Sequence, residues 1–225
     1  MSSLVLSINS SIGRKFIMAL SGFGLAFFVM THMLGNLLIF AGPETYNSYG
    51  HKITSNPLYP LIAWGLVACT AVHAFMGMLL SKQNQDARGG GSYAVTAVAA
   101  GKDVNPASKS MMFSGSILLV FFITHLFNFK YGAEYPVNYG GVEMRDLHRL
   151  IIEKFQSITY VVGYIISLIV LGVHLSHGVS SVFQSLGFNH PRYNFLVKSI
   201  GLGYAIVVAA GFISQPLYVY FFHRG

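Results

Sequence analysis

The sequence predicts an all-α integral membrane bundle of five transmembrane helices, and three observations carry that expectation. Of the 225 residues, 53% are hydrophobic and only 9% are charged, whereas ordinary soluble domains carry about 25% charged residues. Mean hydropathy is +0.57. All 14 basic and 7 acidic residues fall outside five windows, 16–43, 53–81, 110–129, 155–191 and 199–223. Each window can hold the roughly 20 apolar residues that cross a hydrocarbon core.

Within those windows, helices are expected near 14–41, 58–81, 111–130, 157–183 and 198–222, in a single domain covering 1–225. The first span is too long for the apolar part of a signal peptide, and no small-x-small cleavage pattern follows it. Pro216, late in the fifth span, predicts a kink. The stretch "KQNQDARGGGSYAVTAVAAGKDVNPASK" reads as a polar loop, flexible around Gly89, Gly90 and Gly91. No Gly-Lys-Ser/Thr follows those glycines, so a phosphate-binding loop is not the reading. After the third span, "YGAEYPVNYGGVEMRDLHRLIIEKF" sets Leu147, Leu150, Ile151 and Phe155 at helical spacing. A short helix lying on the outer membrane surface is the expectation. No internal repeat stands out beyond the histidine pattern.

The formal charge of +7 raises the question of nucleic acid. The basic residues lie between apolar runs rather than on one soluble face, so no nucleic-acid partner is expected; membrane lipid is. Cys69 is the one cysteine; it sits in an apolar run and is read as a packing residue. Five spans place the two ends of the chain on opposite sides. With the N-terminus inside, the inner segments hold eight Lys and Arg (Arg14, Lys15, Lys82, Arg88, Lys102, Lys109, Arg192, Lys198) against six outside. The positive-inside rule then favours a cytoplasmic N-terminus.

Five histidines lie inside the spans: His32, His73, His125, His174 and His177. Ionisable side chains are costly there and mark function more often than in soluble cores. Because alternate helices run in opposite directions, position along a helix converts to height at about 1.5 Å per residue. His32 and His125 then sit roughly 6 to 7 Å toward the outside, and His73 and His174 roughly 5 to 6 Å toward the inside. The result is two pairs at two levels, about a dozen ångströms apart.

Two facing imidazoles at one level suit a large planar metal cofactor, and haem iron accepts axial histidines on both faces. No Cys-x-x-Cys-His occurs, so the haem would be b-type, held through iron. The spans lack the carboxylates of a di-iron site. A structural zinc would want four ligands together, which the heights deny. Gly77 and Gly178 each follow a histidine by four residues, and Gly35 lies one turn past His32; glycine lets a macrocycle approach the backbone. On the fourth span, only one of His174 and His177 can serve the inner level; the other is left to bind a propionate or face a partner subunit.

These residues resemble a known family. "THMLGNLLIFAGPETYNSYGHKITSNP", "HAFMG", "ITHLF" and "HLSHGVSSVFQSLG" are similar to the five-helix, di-haem (b558-type) cytochrome b anchor of succinate dehydrogenases and fumarate reductases, over 10–222. In that family the fourth-helix ligand has glycine four residues on and a Leu-Gly or Trp-Gly pair at the helix end. Gly178 and Leu186-Gly187 fit this with His174 as the ligand. The resemblance implies that His32 and His125 hold a distal haem b, and His73 and His174 a proximal one. Arg14, Lys15 and Lys82, at the inner surface, are candidates to pair with propionates; as plain inner-surface anchors they satisfy the charge rule equally.

It further implies an electron-transfer role, in a respiratory complex II of the tricarboxylic acid cycle, between an iron–sulfur subunit and a quinone, menaquinone being the expected one. A flavoprotein subunit would handle the dicarboxylate. The setting would be a bacterial inner (cytoplasmic) membrane, and a higher oligomer of the complex stays open. No catalytic residue is assigned: the chain has no flavin fingerprint or cluster-binding cysteines. Glu44, Tyr46, His51 and Asp146 are polar outer residues that could handle protons but read first as loop contacts. Some relatives carry a glutamate two residues before the fourth-helix ligand; here that place is Gly172. The rival readings are another membrane cytochrome b, or a histidine-lined proton or metal transporter.

Overall fold

A backbone surrounded by apolar side chains must satisfy its own hydrogen bonds, and continuous helix does so without help from water. The computed structural model describes residues 10–86, 110–187 and 190–223. In chain order its elements are α1 (Ser11–Asn36), α2 (Pro43–Thr54), α3 (Tyr59–Asp86), α4 (Met111–His125), β1 (Pro136–Tyr139), β2 (Val142–Arg145), α5 (Leu147–Phe155), α6 (Ile158–Ser185) and α7 (Pro191–Phe222). A 3₁₀ turn, Leu37–Ala41, extends α1, and a π turn, Leu126–Lys130, extends α4. Five helices are long and apolar enough to cross a membrane: Ile12–Ala41, Tyr59–Asn84, Met111–Lys130, Ile158–Ser185 and Pro191–Phe222. The glycine-rich loop around Gly89–Gly91 lies outside the described residues.

The helix ends follow local chemistry. Ser10 caps α1 by accepting from the Gly13 amide at 3.0 Å, and Gly42, at φ +97°, turns the chain after the 3₁₀ extension. The fifth long helix begins at Pro191, seven residues before the expected 198. Proline suits a first helical position, and the His190 ring accepts from the Arg192 amide at 3.2 Å. Arg192 and Lys198 ride in the first turns, where long basic side chains reach out of the apolar layer. Charge-free windows therefore mark the apolar part of a helix rather than its ends. Pro216 is buried inside α7 and offers no N–H to the Phe212 carbonyl one turn earlier.

Packing arranges the long helices as a ring with one outrider. α1 packs on α3 and α6, and α4 packs on α6 and, more lightly, on α3. The ring order is thus α1, α3, α4, α6, with α7 outside against α6 and α1. Small residues seat α7. A Cβ on Gly201 would strike Ser180 Oγ and crowd the Ser176 carbonyl, and one on Gly211 would strike the Met33 thioether. Such close approach gives dispersion contacts that substitute for a hydrophobic drive in lipid. The Tyr204 hydroxyl adds a hydrogen bond to the Ala26 carbonyl of α1. Large apolar side chains point outward, Leu61 at 72% exposure and Trp64 at 69%, as a lipid-facing surface requires.

One end of the ring carries a cap made of α2, the β-hairpin and α5. The hairpin turns on Gly140 and Gly141, both at positive φ, as a two-residue loop of this twist demands. Asn47, fully buried, donates to Asp146 Oδ1 at 2.8 Å and accepts from the His148 amide at 2.9 Å. Asp146 also caps α5 through the Arg149 amide at 2.9 Å. Arg145 donates to the carbonyls of Lys130, Gly132 and Ala133, closing the end of the π turn. The amphipathic helix expected from Leu147, Leu150, Ile151 and Phe155 is α5, with the last three of those residues buried.

Candidate functional site: two facing imidazole pairs

His32 on α1 faces His125 on α4, with ring centres 5.9 Å apart and planes at 87°. His73 on α3 faces His174 on α6, at 6.4 Å and 69°. In both cases the two helices stand across the ring from one another rather than side by side. The rings paired by height in the sequence are the rings that face one another here. On α6 it is His174 that meets His73, while His177 stands three residues further on and half-buried.

The two pairs lie at different levels. The His73 ring abuts α1 at Ser21 and Gly22, and His32 comes eleven residues after Ser21 on that helix. At helical rise this separates the levels by about 16 Å. The pair at the capped end is held by aromatic rings. Phe28 stacks on His32 at 5.3 Å, and Phe212 leans against it at 5.9 Å. Phe121, Phe129 and Tyr164 surround His125 at 5.9, 5.3 and 6.2 Å. His125 closes the α-helical part of α4, immediately before the π turn, a distortion often found at functional positions.

Polar contacts differ between levels. At the open end, His73 Nδ1 lies 3.1 Å from Ser21 Oγ, and His174 Nδ1 lies 2.9 Å from Ser114 Oγ. At the capped end, the Asn36 amide nitrogen donates to the His32 carbonyl at 2.8 Å and stands 3.4 Å from both nitrogens of that ring. Asn36 Oδ1 accepts from the buried Tyr46 hydroxyl at 2.7 Å. His125 Nδ1 is buried without a hydrogen-bond partner.

Can these residues hold a haem? Two imidazoles binding one metal ion through a nitrogen each, at about 2.0–2.1 Å, have ring centres about 6 Å apart. Both pairs meet that spacing. Among the described residues, no group of three or more His, Cys, Asp and Glu is placed to hold a metal ion. A bare ion would want three or four protein donors. Two donors suffice for an iron that brings its remaining ligands in a macrocycle. The donor sets fit the group.

Other expectations fare variously. Gly35 does not leave room for a macrocycle: Tyr49 of α2 fills that side, so close that a Cβ would lie 2.6 Å from its hydroxyl. Gly178 faces open space, and Gly77 makes only an ordinary contact with Met18. The glycines that do touch ligand-candidate rings are Gly22, whose Cβ would lie 3.1 Å from His73, and Gly115, at 3.5 Å from His174. Arg14, Lys15 and Lys82 lie at the open end, away from the one ion pair among the described residues, Arg149–Glu153. Cys69 packs against α1, its thiol 3.6 Å from the Ser21 carbonyl.

Of the polar residues at the capped end, Tyr46 is committed to Asn36, and Asp146 to Asn47 and the Arg149 amide. Glu44 is exposed in the first turn of α2 and His51 lies in its last turn. Gly172 packs on α7, where its Cβ would meet that of Ala209 at 3.1 Å, so any side chain there needs α7 to give by a few tenths of an ångström. An open cleft of about 660 Å³ runs between α4 and α6, with Phe121, Asn128, Tyr160 and Tyr164 among its lining residues. Comparisons with protein-family models, curated proteins and solved structures find no match to this chain.

Proposed function

We propose that the chain is the di-haem cytochrome b anchor of a succinate:quinone oxidoreductase, with His32 and His125 holding one haem b and His73 and His174 the other. The observation that carries this reading is the pair of two-imidazole sites, stacked at two levels across a ring of apolar helices, with no third His, Cys, Asp or Glu grouped to hold a metal ion among the described residues. When bound, the haems would supply reversible one-electron transfer between an iron–sulfur partner and a quinone, menaquinone by resemblance. The chain's own residues fix the imidazoles, exclude water with apolar helices and set the distance between levels. The dicarboxylate chemistry would belong to a flavoprotein partner.

Orientation follows from charge. With the N-terminus in the cytoplasm of a bacterial cell, the open end carries the His73–His174 pair and would meet the iron–sulfur partner. The capped end, with the His32–His125 pair, would face outward. The cleft between α4 and α6 reaches Tyr164 and Phe121, each in ring contact with His125. It is the route we assign to a lipid-borne quinone.

The test is a set of five variants read by visible spectroscopy with a haem count. Wild-type protein is expected to carry two haems per chain. His32→Ala and His125→Ala should each lose one spectral component, and His73→Ala and His174→Ala the other; His177→Ala should keep both. A purified wild-type protein without Soret absorbance, or with one haem per chain, overturns the reading.

A further inference from the structure

α1 and α4 carry the same pattern. "SGFGLAFFVMTH" begins at Ser21 and "SGSILLVFFITH" at Ser114, so that Ser-Gly precedes Thr-His by the same interval in both. The phenylalanine one turn before each histidine, Phe28 and Phe121, contacts that histidine's ring. The following long helices match as well. α3 reads Val72-His73 with Gly77 four residues on, and α6 reads Val173-His174 with Gly178 four residues on. The two helix pairs of the ring therefore share one pattern around their histidines. Within each pair, the Ser-Gly of the first helix meets the histidine of the second: Ser21 and Gly22 meet His73, while Ser114 and Gly115 meet His174.

Both serines use their hydroxyl in the same way. Ser21 Oγ is 2.9 Å from the Ile17 carbonyl and 3.1 Å from that of Met18. Ser114 Oγ is 3.2 Å from the Met111 carbonyl. A carbonyl can only accept, so the single hydroxyl hydrogen of each serine can go to its own helix. What each Oγ then offers the neighbouring imidazole is a lone pair. A neutral imidazole carries one N–H, and an acceptor at Nδ1 draws it there.

We infer that Ser21 and Ser114 are equivalent positioning residues, each holding its partner histidine with the proton on Nδ1 so that Nε2 presents a bare lone pair. The inference rests on the proposed role of His73 and His174 as axial ligands. Metal-bound imidazoles commonly donate their other N–H in this manner, which fixes the ring and raises its basicity. The glycine beside each serine gives the ring room to lie against the helix. The two serines act on the level at the open end only: among the described residues, Asn36 presents its amide nitrogen to the His32 ring, and His125 Nδ1 has no hydrogen-bond partner.

The experiment uses membranes containing the full chain, with Ser21→Ala, Ser114→Ala and the hydroxyl-retaining Ser21→Thr and Ser114→Thr. Redox titration and low-temperature electron paramagnetic resonance of the ferric states are the readouts. Loss of the acceptor makes the ligand less basic and favours ferrous iron. Each alanine variant is therefore expected to raise the midpoint potential of one component, the one lost in His73→Ala, and leave the other unmoved. The threonine variants should return it toward wild type. Two intact components with unmoved potentials in both alanine variants overturn the inference, as do equal shifts of both components. Wild-type membranes without low-spin ferric signals would instead defeat the underlying haem reading.

Discussion

At the scale of single residues, direction of travel decided more than identity. The four facing histidines could be sorted by height because each lies late in its helix and neighbouring helices are antiparallel. What holds the rings was not legible. Ser21 touches a histidine 52 positions away, and Ser114 one 60 positions away, on helices with no local periodicity to connect them. The repeat that would have flagged both serines is only a few matched positions scattered over a dozen residues. The link between Asn36 and Tyr46 was hidden for the same reason: it crosses from α1 to the cap. That link yields a prediction. Tyr46→Phe removes the donor to Asn36 Oδ1, which should cost about 1–2 kcal/mol for a buried bond whose acceptor is left unmatched. Because the Asn36 amide stands against the His32 ring, the variant should also, on the proposed haem reading, broaden or shift the spectral component that His32→Ala would abolish. Thermal unfolding and reduced-minus-oxidised spectra would check it, and a change confined to the other component would refute the bracing role.

At the scale of elements, every long helix was visible in the sequence because a bilayer-length apolar run leaves few alternatives. α5 was visible too, through Leu147, Leu150, Ile151 and Phe155. α2 was not. Its sequence, "PETYNSYGHKIT", has no apolar stripe, and what fixes it is tertiary: buried Tyr46 bonded to Asn36 and buried Asn47 bonded to Asp146. The hairpin did announce itself in Gly140-Gly141 between Tyr139 and Val142, a turn signal that a search for apolar runs passes over.

The cap meets α7 through two imidazoles, His148 on α5 and His223 at the end of α7, with ring centres 6.2 Å apart. Gln156 adds a bond to the His223 carbonyl at 2.7 Å. Burial pushes His148 below its ordinary 6.5; the Asp146 carboxylate works against that shift and the His223 ring works with it. From α2, the Tyr46 ring lies 6.3 Å away. The fold therefore favours the neutral ring. Its contribution is present above about pH 6.5 and is lost as pH falls through the lowered value. Amide exchange in 147–155 should accelerate between pH 7.5 and 5.5, after correction for intrinsic rates, and His148→Phe should flatten that difference. Equal protection at both pH values in the wild type would rule the contact out as the cause.

At the scale of the whole molecule, an odd number of crossings fixes where the ends lie. Helices α1, α3, α4, α6 and α7 are each long and apolar enough to cross a membrane, and five crossings would put the N- and C-termini on opposite faces. A reporter active only in the cytoplasm should work when fused at the N-terminus and fail at the C-terminus; the same behaviour at both ends would sink the five-span topology. The chain's architecture is uneven across the ring. In α1, α6 and α7, 22% of the most apolar window is buried within the protein, against 6% in α4 and none in α3. No residue in that window of α3 is fully buried, so α3 is the long helix least enclosed by the rest of the protein, and in a bilayer annular lipid molecules would complete its surroundings. Detergents that displace those molecules will loosen α3 first and leave α6 and α7 clasped. Recovery of an intact ring will then be governed by the choice of solubilising agent, and nanodiscs or native lipid particles are the preparations that suit it.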